Sequence, residues 1–187
     1  MILKGKEMNE ERKKLLIELL EEVDPKKPYG TKLFDALAQI TISVAIEAVC
    51  LRCGPKKNKV EVYLTQRSQD DTAYPGEWHC PGSVMRPGEN VKDVFVRLCK
   101  KEFGTTSLPS TKFVANINHP TEARGHFLSV TYLCELMDSL GSQDFDLLKG
   151  KWFSVDDLPE KTVESHCKRI IPAAFGAFVA ADSSICV

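Results

Sequence analysis

GEWHCPGSVMRPGENVKDVFVRLCKKEFG, residues 76–104, is the stretch on which the reading of this chain turns. Pro81-Gly82 and Pro87-Gly88 mark two turns. Behind the second, Val91, Val94, Phe95, Leu98 and Glu102 follow a 3.6-residue period, which predicts an amphipathic helix over 90–103. Asn90 suits its N-cap, and Asp93 suits the first turn. On an α-helix, positions 98, 101 and 102 share one face. Three carboxylates there would hold a hard divalent cation, which takes oxygen ligands. This face instead offers Glu102 beside an apolar Leu98 and a cationic Lys101. A divalent ion and an ammonium ~5 Å apart repel by roughly 6–7 kcal/mol at an effective dielectric of ~20. Two acids, Glu89 and Glu102, would make a weak magnesium site.

The frame of Trp78, Pro81-Gly82, Pro87-Gly88-Glu89, Arg97, Glu102 and Gly104 resembles the signature of the Nudix hydrolases. That signature runs Gly, five residues, Glu, seven residues, Arg-Glu, two residues, Glu-Glu, one residue, Gly. The signature's first glycine falls on Ser83, its two other helix glutamates on Leu98 and Lys101, and a frequent loop acid on Arg86. The resemblance covers about residues 40–181 and implies an α/β fold, an α/β/α sandwich with a mixed β-sheet. It divides the chain into an N-terminal helical extension, 1–36, and a Nudix-like domain, 37–187. It implies hydrolysis of a nucleoside diphosphate linked to another group, assisted by Mg²⁺ or Mn²⁺. Glu102 and Glu89 are then the catalytic and metal-ligating candidates. Arg67, Lys101, Trp78 and Ser83 are the substrate-binding candidates, with Arg67 placed to meet a phosphate. The departures at 98 and 101 favour a protein that binds a nucleotide-type ligand and hydrolyses it weakly or not at all. Lys101 would then meet a diphosphate directly as a point charge. Two alternatives stay open: an active pyrophosphohydrolase with ligands from elsewhere, such as Glu122, or an RNA- or protein-binding module.

Working outward, residues 9–23 form a helix with Leu15, Leu16, Leu19, Leu20 and Val23 on one side. That side must rest on the main domain or on a second copy, so a homodimer is one expected partner state. Asp24 to Gly30 break the helix, and 31–39 add another helical turn or two. Ile42, Val44 and Ile46 alternate with Ser43, Ala45 and Glu47 in a first strand, and Val60, Val62 and Leu64 alternate in a second. Phe113, Ala115 and Ile117 suggest a third, 119–125 a turn, and 127–136 a strongly β-prone run. Trp152 to Pro159 read as a late strand and turn, and 164–181 as a closing helix. His79 and His126 lie near the motif edges as candidate bases.

Net charge is −1, which gives no global footprint for nucleic acid. Lys56, Lys57, Lys59 and Lys112 are the local residues that would touch RNA. No apolar run reaches a membrane span, and the polar N-terminus has no signal-peptide core. Seven scattered cysteines predict buried thiols in a reducing, cytoplasmic setting. Cys50 and Cys53 have redox or zinc spacing, but without a second pair they read as strand-end residues.

Overall fold

The computed structural model describes residues 7–55, 59–136 and 150–181. Its centre is β1 (Ile42–Cys53), which is buried on both faces. Ala48 and Cys50 point to one side, and Val49 and Leu51 to the other, as the two-residue pleat requires. Strand β1 runs parallel to β6 (Gly125–Cys134), from Ile42 opposite His126 to Cys50 opposite Cys134. Along its other edge, residues 45–47 pair antiparallel with β4 (Gly82–Val84), and residues 51–53 with β2 (Val60–Gln66). The order is β3-β2-β1-β6-β5, with β3 at Trp78–His79, β5 at Thr111–Glu122, and β7 (Gly150–Ser154) paired to β2.

Helix α3 (Val91–Leu98) and the π-helical turn Cys99–Phe103 cover one face. They bring Leu98, Cys99 and Phe103 against Ala48, Cys50 and Tyr63. The C-terminal helix α4 (Ile171–Ala181) covers the other, with Ile170, Ile171 and Ala174 against Val49, Val62 and Leu64. The mixed sheet between helical layers is the sandwich expected from the sequence. Helix α1 (Glu10–Glu21) buries none of its residues, and Leu15, Ile17 and Leu19 are each more than half exposed. Of the apolar side expected over 9–23, Leu16 and Leu20 are exposed as well and only Val23 is half-buried. Helix α2 (Thr31–Ala38), by contrast, is fastened to the sandwich. Asp35 accepts a hydrogen bond from the Thr72 hydroxyl at 2.7 Å, and Arg124 Nε lies 3.2 Å from its carboxylate. Gly125, at φ 135°, lets the helix end come close: a Cβ there would lie 2.1 Å from the Ala38 carbonyl oxygen.

Three local expectations change. The helix over 90–103 is α-helical only to Leu98, and then widens into the π turn. Gly104, at φ 61°, closes that turn by donating to Cys99 O. The closing helix widens in the same way at His166–Ile170. There Ile171 donates back to His166, and Pro172, which has no N–H to give, follows directly. The third strand also outruns its apolar pattern. It continues to Glu122, so the turn shrinks to Ala123-Arg124, and register shifts follow Phe113 and His119. Antiparallel pairing with β6 carries these polar residues into the sheet, where alternation alone would stop.

Candidate functional site

A cavity of about 220 Å³ opens between the sheet, the loop before β3 and the two π-helical turns. Arg67, Ser83 and Lys101 line it, as do Glu47, His119, Glu122 and Arg124. Phe34 of α2 and Phe127 supply apolar wall.

The 68–77 loop is held by one carboxylate. Asp71 accepts from Arg124 Nη2 at 2.8 Å and from the backbone N–H of Tyr74 and Ala73, and pairs with Arg67 Nη1 at 3.2 Å. Burial alone would raise its pKa. The two N–H groups and the guanidinium of Arg124 win, and hold it well below the usual carboxylate range. Tyr74 donates its phenol to Glu122, and burial and that carboxylate push the phenol well above its ordinary value. Arg67 lies 5.3 Å over the Tyr74 ring, and its Nε is buried without a hydrogen-bond partner.

Of the two carboxylates of the motif, Glu89 belongs to an internal clasp. Both its oxygens accept from Arg97, at 2.9 and 2.7 Å, and Oε2 also accepts the Arg86 N–H at 2.8 Å. The Arg97 hydrogen bonds lower its pKa. Arg97 completes the clasp by donating to the Ser83 hydroxyl and to Val84 O. Its flat fork fits a carboxylate in a way that a lysine ammonium cannot. Arg97→Lys is expected to lose about 1–3 kcal/mol of stability, read from the urea midpoint; an unchanged midpoint would show that the clasp is dispensable.

Lys101 and Glu102 pair with each other at 3.1 Å, with the Lys101 side chain 74% exposed and that of Glu102 only 12%. Leu98 is buried in the core. Of the three positions, Leu98 and Glu102 are therefore turned inward and Lys101 outward, and the π turn begins between the first and the other two. Trp78 is outside the cavity lining and packs edge-on against Phe153 at 4.8 Å. His126 also stands outside it, bonded to Asn118. His79 lines the cavity but is committed: its Nδ1 donates to Cys80 O at 2.7 Å, leaving Nε2 to accept from Thr65 at 3.3 Å. Burial, aided by Arg67, lowers its pKa to about 3, so it stays neutral at physiological pH.

Sequence reading overlooked Glu47, His119, Tyr74 and Arg124. A glutamate inside the run VAIEAVC was the available signal for Glu47. His119 lies in the segment expected to be a turn. It is 4% exposed, with Nδ1 3.4 Å from Glu122 and Nε2 unpartnered. Burial lowers its pKa despite Glu122. Its register shift is the kind of irregularity that re-aims side chains at a site rim.

The donor set does not fit a divalent ion held in the manner of the motif. Glu89 already accepts three hydrogen bonds, two of them from Arg97, and Glu102 is paired with an ammonium. Among the described residues no three His, Cys, Asp or Glu side chains are grouped to hold a metal. Cys50 is a buried free thiol, as are Cys80, Cys99 and Cys134, whereas Cys53 is disulfide-bonded, so Cys50 and Cys53 are not a pair and the expected reducing setting does not account for Cys53. Lys56 and Lys57 lie outside the described residues. No described helix is long and apolar enough to cross a membrane.

A mixed sheet between helical layers, with a cavity lined by both cationic and acidic side chains beside a turn-helix-glycine motif, defines an α/β/α sandwich protein. The chain belongs to the Nudix family: the NUDIX domain matches residues 45–174. Among solved structures it is similar to NrtR of Shewanella oneidensis, with TM-score 0.60 and 17% identity over 74% of this chain and 64% of the other. The match thus spans less than two thirds of NrtR. The NUDIX domain of the same NrtR, complexed with ADP ribose, aligns with TM-score 0.56 and 19% identity over 94% of this chain and 100% of that one. A MutT/nudix family protein from Enterococcus faecalis gives 0.59 and 17% over 94% and 76%. No curated protein matches the chain.

Proposed function

We propose that this Nudix-family chain binds a nucleoside-diphosphate-type ligand in the cavity without a divalent ion, and hydrolyses it weakly or not at all. The observation that carries this reading is Lys101, a mostly exposed ammonium on the cavity wall, standing where the family motif has a glutamate. Arg67 and Arg124 add two guanidinium groups to the same cavity, held in place by Asp71, and a diphosphate would share them with that carboxylate. The structural neighbour complexed with ADP ribose supports that ligand as the first probe.

The test is calorimetric titration of the whole chain with ADP-ribose in EDTA and again in magnesium. The expected result is equal affinity in both, weakened about tenfold, or ~1.4 kcal/mol, by Lys101→Ala. Affinity that appears only with magnesium would overturn the reading.

A second reading is favoured by Glu122, which lines the cavity beside His119 and Tyr74. It makes the chain a hydrolase whose essential acids include one outside the motif. Phosphate release from a panel of nucleoside diphosphate derivatives, lost in both Glu102→Gln and Glu122→Gln, would support it over simple binding.

A further inference from the structure

Glu47 sits in the middle of β1, with Gly82 of β4 opposite on one side and Thr131 of β6 on the other. It is 7% exposed and lines the cavity from within the sheet. Among the described residues its side chain has one hydrogen bond, and it is long, 3.5 Å from the Ser129 hydroxyl to Oε1. Its Oε2 occupies the space over Gly82, where a Cβ would come within 2.1 Å, so the glycine is what gives the carboxyl room. A carboxylate has about four acceptor sites, and buried polar groups kept for structure alone are normally satisfied. This one keeps most of its accepting capacity at the cavity floor.

The groups acting on it come from several elements around the cavity. Arg67 acts from just beyond the end of β2, Glu122 from β5, Glu102 from the π turn, and Ser129 from β6. Arg67 is already paired with Asp71, and the two acids disfavour any anion at this point. The cavity is therefore divided, with exposed cationic Lys101 at its rim and an acid at its floor. A phosphate belongs at the rim, and a hydrogen-bond donor belongs at the floor.

We infer that Glu47 is a specificity-determining residue, accepting a hydrogen bond from a hydroxyl or amino group carried beside the phosphates of the ligand. This rests on the ligand-binding reading above. Desolvation, opposed by Arg67 and Ser129, raises the Glu47 pKa to about 7. A donor that bonds the carboxylate must therefore expel a proton near neutrality. The diphosphate diester of ADP-ribose does not itself titrate there.

The experiment is calorimetry in EDTA, at about pH 6 and about pH 8, in buffers of different ionisation enthalpy. The probes are ADP-ribose, ribose 5-phosphate and 2′,3′-dideoxyadenosine diphosphate. The expected result is proton release on binding ADP-ribose and affinity about tenfold higher at the upper pH. Both effects should vanish in Glu47→Gln, which keeps the size of the side chain. Retention of the Glu47-dependent proton release by ribose 5-phosphate assigns the donor as a sugar hydroxyl. Retention only by the dideoxy compound assigns it as the base amino group. Binding of ADP-ribose with no pH effect, or with the same effect in Glu47→Gln, overturns this inference and leaves the binding reading standing. Failure of every probe to bind at either pH overturns both.

Discussion

Glu47→Gln should make the protein more stable at pH 8 than the parent. The Glu47 carboxyl has an ordinary pKa of 4.5 in the unfolded chain and about 7 in the fold, because burial disfavours its charge. The unfolded state therefore loses its proton first as pH rises. Stability falls from about pH 4.5 and levels off once the folded carboxyl has also ionised, near pH 7. Over that window the loss amounts to ~3 kcal/mol. Glutamine does not titrate, so the variant escapes the loss. Allowing for a less well-matched amide, a net gain of about 1–3 kcal/mol at pH 8 is expected. Guanidinium unfolding of both proteins across pH 4.5 to 8 measures it. Asp71 and Glu89, whose carboxyls are held below their ordinary values, act in the opposite sense and only at lower pH. Parallel pH profiles for parent and variant would show that Glu47 carries no such penalty. A gain would identify Glu47 as a residue retained at a cost in stability, which is how groups kept for a ligand behave.

Leu98→Glu is expected to damage the fold severely. Rebuilding the acids of the family motif at 98 and 101 looks, on the sequence, like the way to recover metal-assisted hydrolysis. The two positions differ in the structure. Lys101 is mostly exposed, and Lys101→Glu, which loses its ion pair with Glu102, should cost only about 1 kcal/mol. Leu98 is 1% exposed and packed among Ala48, Tyr63 and Phe103. A glutamate there forfeits a buried leucine, ~2–3 kcal/mol, and must be buried as a charge or held protonated, ~2 kcal/mol or more. The sum, roughly 4–5 kcal/mol, rivals the whole stability of a marginal domain. Thermal melts of the two single variants would separate them, and a Leu98→Glu protein melting with the parent would refute the core assignment. The double change is therefore not a clean restoration of a metal cradle.

Much of this was legible in the residues themselves. The motif from Trp78 to Gly104, the 3.6-residue period behind Asn90 and the alternating strands around Ile46 and Val62 reflect local geometry, which sequence spacing records directly. Family, sandwich fold and the ambiguity at 98 and 101 followed from them. Arg67, Ser83 and Lys101 do line one cavity, whereas Trp78 turned away to pack on Phe153.

Tertiary structure decided the rest, because it depends on which distant residues share a volume. No spacing rule shows that Arg97 occupies both oxygens of Glu89, or that the helix widens into a π turn after Leu98. Nor does alternation along β1 reveal that covering helices bury both of its faces, leaving Glu47 at a cavity floor instead of in water. The sequence determined the frame of this protein, because periodicity and turns are short-range. Its chemistry was decided by long-range packing, which chose the acids that are paired, buried or open to a ligand.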